Sequence, residues 1–324
     1  MKRGYVLIAA VAAFTTCLFV PTSGVAAGPP DVICSQVTST FTGTAHNLIV
    51  PTGGYCAVTG ATITHDLIQQ DHTGADVSGT SVGHDVSFQN DAGAGIVNST
   101  VGHDVIAAGD ESGAEVFDTA VEHDMLALGE DSGFDIAGVT VVHDVKLLGL
   151  ADGIHAERLT IGHDFFASKP QTVQTGRIGP DTPGGPVNVG HDFAIHGSPD
   201  LPFVFDGICD VDVVHDFSIT NRSVTLGFGI GNICARNGQP ANTVGRDMII
   251  TGNTALAGVF GPSALIVGDN HVGRDLVFSN NTAVPGGSLE VSRNVVGRDV
   301  TCEGNNPAVT VNGPNSAGRS NTCG

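Results

Sequence analysis

The chain of 324 residues has no tryptophan, two tyrosines and three methionines, and aromatic residues make up only 5% of it. A globular core built around large rings is therefore excluded, because aromatic side chains dominate the buried area of such cores. Charge is also scarce, at 14%, and positive charge most of all: 13 Lys and Arg stand against 33 Asp and Glu, for a net charge of −20. A surface of that sign repels nucleic acid and anionic membranes. Beyond residue 20 no apolar run is long enough to cross a bilayer. P-loop, H-E-x-x-H and C-x-x-C patterns are missing, and no nucleophile elbow is expected.

What is present points elsewhere. Lys2 and Arg3, the apolar stretch Tyr5 to Val20 and the small residues Val25-Ala26-Ala27 have the order of a secretory signal with its cleavage site, read here as residues 1–27. Its removal takes away two basic residues and no acidic one, and leaves no segment for membrane insertion. It also removes Cys17, so six of the seven cysteines remain: Cys34, Cys56, Cys209, Cys234, Cys302 and Cys323. An even number in an exported chain reads as disulfides, and implies a secreted, extracellular or cell-surface location. The 45 glycines and 41% apolar content fit a core of many small β-branched side chains.

A tile V-x-[HR]-D-φ, with φ apolar, recurs eleven times. Its basic residue is His65, His84, His103, His123, His143, His163, His191, His215, Arg246, Arg274 and Arg298, each followed by Asp, at intervals of 19, 19, 20, 20, 20, 28, 24, 31, 28 and 24. Two residues earlier stands Val or Ile, from Ile63 and Val82 to Val296. Two residues later the side chain is again apolar, from Leu67 and Val86 to Val300. A third column, seven before the basic residue, holds Val58, Val77, Ile96, Val116 and Ile136. Repeats rich in Val, Ile, Thr, Gly and Asn, with several apolar columns facing one axis, predict a single-stranded parallel β-helix, an all-β solenoid of about eleven to twelve coils. At about 4.8 Å per coil, eleven coils make a rod roughly 50 Å long.

The tiles Val244-Gly245-Arg246-Asp247-Met248 with Asn253, Val272-Gly273-Arg274-Asp275-Leu276 with Asn281, and Val296-Gly297-Arg298-Asp299-Val300 with Asn305 resemble those of the right-handed parallel β-helix proteins of the pectate-lyase-like group. The closer resemblance is to secreted bacterial repeat proteins with V-G-x-x-φ tiles and Asn-rich turns. It extends over nearly all of the chain after residue 27 and implies fold rather than activity. Coils of 19 or 20 residues also fit a bactofilin-like or left-handed solenoid. The expected division is an N-terminal cap at 28–58, the solenoid at 59–302 with short regular coils to about residue 167, and a C-terminal cap at 303–324.

In a straight strand, residues two apart share a face, so Val, His or Arg, and the next apolar residue would all be buried. A buried row of unpaired cations is too costly, so a bend inside the tile is expected. Glycine before the basic residue, at 83, 102, 162, 190, 245, 273 and 297, fits such a corner. The following Asp then accepts backbone N–H bonds or pairs with the stacked cation. The sharper alternative is a metal ladder of His65, His84, His103, His123, His143 and His163 on Zn²⁺ or Cu²⁺, although Arg replaces His in later coils.

Cysteines one coil apart predict the pairs Cys34–Cys56, Cys209–Cys234 and Cys302–Cys323. Inserted stretches 168–186, 196–212, 221–242 and 251–270 are expected along one edge of the rod, where binding faces form. Beside them Asp206, Asp210 and Asp212, near Asp200, are candidates for catalytic acid and base or for a Ca²⁺ site, with Arg222 and Arg236 as candidate lyase bases. Thr80, Ser99 and Thr119 beside Ser81, Thr100 and Ala120 form a partial double row of the ice-ordering kind. Taken together, these features predict a secreted structural or adhesin-like scaffold without catalytic activity or cofactor. The alternative is a carbohydrate-active or carbohydrate-binding protein that acts on envelope or extracellular polysaccharide, and a metal-binding His ladder is the third reading.

Overall fold

The computed structural model describes residues 28–34, 39–90, 93–109, 113–129, 133–150, 153–170, 173–175, 185–197, 206–224, 228–231, 241–258 and 261–323. The predicted signal, Asp200, Cys234 and Arg236 lie outside these residues. The described chain is all β, a parallel solenoid of about 12 turns. One regular coil shows how it is made. Ala114–Phe117 lies in one sheet, Ala120–Val121 in a second and Met125–Leu128 in a third, with a corner after each. Repetition of this path builds sheet A with 14 strands (the Met125–Leu128 type), sheet B with 12 (Ala114–Phe117) and sheet C with 13 (Ala120–Val121).

Pairing between coils is parallel and in register. Val105 meets Met125 in sheet A, Val116 meets Ile136 in sheet B, and Val101 meets Val121, which meets Val141, in sheet C. The three apolar columns therefore converge on one axis. Val82, Val101, Val121, Val141, Val244 and Val296 are at most 3% exposed, and Leu67, Val86, Val105, Met125, Val145 and Val300 are fully buried. Each such side chain contributes about 1.5–3 kcal/mol relative to exposure. Where the column turns aromatic, the rings of Phe165, Phe193 and Phe217 stack face to face at 4.7 and 5.0 Å.

The bend lies where expected. Strands of sheet C end at the Val, and strands of sheet A begin at or just after the Asp, so Val121 is buried while His123 faces outward. Glycine before the His is explained by close approach rather than by an unusual φ. A Cβ at Gly102 would stand 2.3 Å from the Gly83 carbonyl oxygen, and one at Gly162 would stand 2.0 Å from that of Val142. At Gly102 the N–H···O bond to the previous coil is 2.8 Å. Where Glu122, Val142 and Val214 carry side chains, the same bond is 3.0 Å.

Two features differ from expectation. Thr80, Ser99 and Thr119 are buried, and their hydroxyls donate to the carbonyls of Ser78, Val97 and Phe117, so the anticipated double row of exposed hydroxyls does not exist. These residues sit on the inner side of the corner between sheets B and C, and only Ser81 and Thr100 beside them face solvent. In the longer coils buried asparagines take over this role. Asn242, Asn270, Asn294 and Asn315 form a ladder of side-chain amide bonds of 2.9 to 3.0 Å. Asn253, Asn281 and Asn305 form a second, whose amides also donate to the carbonyls of Ile219, Ile250 and Phe278.

Parallel stacking runs from Val32–Ile33 to Ser320–Asn321, so it enters both segments read as caps. Disulfides Cys34–Cys56 and Cys302–Cys323 join neighbouring coils at the two ends, with Cα separations of 6.1 and 4.9 Å. Cys209 is also disulfide-bonded. The inserted stretches lie between a strand of sheet A and the next strand of sheet C. Two of them supply Ser223–Val224 and Thr254–Ala255, which form a three-stranded parallel sheet with Thr282–Ala283 of the following coil.

Candidate functional site

The corner between sheets C and A carries the most repeated chemistry in the molecule. Because the bend turns each His outward at the same point of every coil, the imidazoles stack along the rod. Ring centroids are 4.9 Å apart for His65–His84, 4.7 Å for His84–His103 and 4.5 Å for His103–His123, with interplanar angles of 12°, 1° and 3°. Asp side chains interleave with them. His103 Nδ1 lies 2.9 Å from Asp85 Oδ1 in the preceding coil and 3.3 Å from Asp104 Oδ2 in its own. His84 is held in the same way at 3.0 and 3.2 Å, and His191 at 3.0 and 3.3 Å. Each Asp Oδ1 also accepts the backbone N–H of the next Asp, as Asp104 does from Asp124 at 2.9 Å.

Carboxylates accept hydrogen bonds and do not donate them, so Nδ1 must carry the proton. The Nε2 atoms are left facing solvent. Partial burial pushes the carboxyls of Asp66 and Asp104 up, and the hydrogen bonds from the next coil outweigh it and hold both below the usual value. At Asp144 the bond from Lys146 joins those of Asp164 N–H and His163, and the carboxyl falls to about 2. The Asp85 carboxylate raises the pKa of His103, and Asp144 raises that of His163.

The predicted ladder is thus brought together in two pieces. His65, His84, His103 and His123 form one run. His143 is tilted 23° to His123, is 6.2 Å from His163 and lies 3.8 Å from Asp124. Lys146, 2.7 Å from Asp144 Oδ2 and 3.9 Å from Asp124 Oδ2, competes for the carboxylates at that point. His163 then stacks on His191 at 4.8 Å and 8°. Further along, Arg246, Arg274 and Arg298 face the Asp of the preceding coil, at 3.6, 3.4 and 3.2 Å from Asp216, Asp247 and Asp275, an ion-pair distance that leaves Arg274 Nε and Arg298 Nε without a hydrogen-bond partner among the described residues.

The row is longer than its tile. His46 precedes it, 5.1 Å from His65, with Asn47 in the Asp role accepting the Asp66 N–H at 3.1 Å. Arg319 follows it, with its N–H bonded to the Arg298 carbonyl. Intervals of 19 and 21 residues to the neighbouring tiles are the signal that could have revealed both; Asn47 and Ser320 in place of Asp conceal them.

The carboxylate candidates are less organised. Asp210 occupies the corner before Val211–Val213 with φ +53°, and burial first, then Asp212, raises its pKa. Asp212 stands exposed on sheet C between Asn188 and Thr243, and Asp206 belongs to a strand of sheet B. Arg222 is 3% exposed and donates to the Pro170 carbonyl, which removes it as a solvent-facing lyase base. Gly79-Thr80-Ser81-Val82-Gly83 does spell G-x-S-x-G. Ser81 nevertheless lies on a two-residue strand paired in parallel with Thr62 and Thr100, not on the strand-to-helix turn a nucleophile elbow requires. A shallow groove of about 350 Å³ runs along sheet C past Gly245, Gly273 and Gly297, where missing side chains leave a trough.

Compared with known protein families, curated proteins and solved structures, the chain has no significant match.

Proposed function

We propose that the molecule is an exported, non-catalytic scaffold, an adhesin-like or envelope-associated rod. The observation that carries this reading is the uninterrupted register of the stack from Val32 to Asn321, closed near each end by a disulfide between coils. Structure of this kind presents the same outward side chains at a fixed interval, which suits a spacer or a multivalent surface. Disulfides fit an oxidising location, and the apolar stretch Tyr5 to Val20 supplies the means of export. The V-G-x-x-φ tiles with their Asn ladders support kinship with secreted right-handed parallel β-helix proteins of the pectate-lyase-like group. The acidic surface favours neutral envelope or extracellular polysaccharide as partner over any polyanion.

A second reading, cleavage of polysaccharide on the loop-bearing side, is favoured by one observation: Asp210 has a carboxyl raised by burial and by Asp212, as a general acid requires. Incubating the purified protein with acidic and neutral polysaccharides, with and without Ca²⁺, separates the two. The scaffold predicts sedimentation with polysaccharide or no interaction, and no new reducing ends or unsaturated products. Product release that is lost in Asp210→Asn overturns it.

A further inference from the structure

The His row is built as metal ligands are built. A metal-ligating imidazole typically donates its second ring N–H to a carboxylate, which fixes the tautomer and makes the ligating nitrogen more basic. Here that second contact is in place before any ion arrives. Nδ1 of His84, His103, His123, His163 and His191 lies 2.8 to 3.0 Å from the Asp of the preceding coil, and His65 Nδ1 lies 2.8 Å from Asp66. No hydrogen bond to an Nε2 of these six occurs among the described residues, and their side chains are 36 to 53% exposed. Parallel rings held by equivalent contacts carry their Nε2 atoms at nearly the centroid spacing. Two nitrogens bound to one Zn²⁺ at about 2.0–2.1 Å in a tetrahedral site are about 3.4 Å apart. A lean of about 0.6 Å by each ring closes the 4.5 Å gap between His103 and His123, and because the lone pairs of parallel rings do not converge, each ring must also turn by roughly 50° about its side-chain torsions.

We propose that pairs of neighbouring histidines in this row bind Zn²⁺ or Cu²⁺ through Nε2, one ion per two coils, at His65/His84, His103/His123 and His163/His191. Water completes each coordination shell, and the Asp row remains an outer shell of hydrogen-bond acceptors. An Nε2 lone pair serves one ion only, so pairing and not a continuous chain of ions is the expected filling. His143, tilted and without an Asp within hydrogen-bond distance, is left out. The Arg part of the row has no lone pair to offer. It nonetheless shows that the corner accepts a guanidinium in place of an imidazole, within ion-pair distance of the Asp of the preceding coil. Arginine is therefore the substitution that removes a ligand and keeps the coil. Imidazole suits Zn²⁺ and Cu²⁺, whereas Ca²⁺ requires oxygen ligands, so Ca²⁺ is the control. This site is independent of the scaffold reading, which survives its failure.

The test is calorimetric titration of the purified protein with ZnCl₂ and CaCl₂ at pH 7.5, alongside H103R/H123R, H65R/H84R and H143R. Each double variant is expected to take up one Zn²⁺ fewer than the parent, H143R the same number, and none to respond to Ca²⁺ through this row. Equal Zn²⁺ uptake in parent and double variants overturns the proposal. Long-range ¹H–¹⁵N spectra of the parent give a readout that needs no variant. Zn²⁺ should move the Nε2 resonances of the paired histidines and leave Nδ1 protonated; movement at Nδ1 instead, or at neither nitrogen, contradicts it.

Discussion

Asp85 satisfies several groups at once: the Nδ1 of His84, the Nδ1 of His103 and the backbone N–H of Asp104. This sharing explains why Asp follows the basic residue in all eleven tiles, and Arg can replace His because its guanidinium faces the Asp of the preceding coil at 3.2 to 3.6 Å. It also sets the sign of the pH response. The pKa values of His103 and His163 are raised in the folded state, so their contribution is fully present below about pH 6.5 and is lost as pH rises through the folded values. Asp144, lowered to about 2, contributes above its ordinary value of 3.8 and loses that contribution as pH falls toward 2. Thermal melts should therefore show a gain in stability between pH 8 and 5.5 that is smaller in H103Q/H163Q than in the parent. An equal gain in both would show that the His–Asp contacts do not set this response. Asn270 illustrates the other residue-scale device: it donates to the Ile230 carbonyl at 3.0 Å and to Asn294 at 2.9 Å, and accepts from Asn242 at 2.9 Å. Asn270→Leu leaves these buried groups short of partners and should cost about 2–4 kcal/mol in denaturant unfolding.

The strands are only two to five residues long, so no strand is stable alone and pairing across coils carries the fold. The tile was legible because its Val and φ positions are both buried and admit only apolar residues, while the bend between them followed from the cost of burying His. Less legible was the corner between sheets B and C. Thr80, Ser99 and Thr119 read as surface hydroxyls, because composition does not show which side of a corner faces the axis. Carbonyls two residues back satisfy them inside. Asn242, Asn270, Asn294 and Asn315 went unrecognised for the same reason: the enlarged coils put 28, 24 and 21 residues between successive members and hide the period. At the level of the strand the Phe stack is the most exacting contact. Phe193→Ala empties the space between Phe165 and Phe217 and should cost about 3–5 kcal/mol, measured by chemical denaturation.

As a whole molecule, a solenoid is held by nearest-neighbour interfaces, so damage at one end need not reach the other. The disulfides act where neighbours run out. Replacing Cys34 and Cys56 by Ala should raise amide exchange over residues 39–50 and leave the coils around Val121 and Val141 protected. Uniform loss of protection along the rod would mean that it unfolds as one unit. Candidate chemistry was legible where it repeats, in the His row, and illegible where it depends on single side chains: nothing in sequence showed that Arg222 is buried against Pro170, or that Asp210 and Asp212 stand on different parts of a corner. The central claim, that equivalent residues of successive coils pile up in register, is tested most directly by a crystal structure. Val101, Val121 and Val141 should follow one another at about 4.8 Å along a common axis, with the imidazoles of His84, His103 and His123 stacked outside them; valines dispersed through the molecule would contradict it.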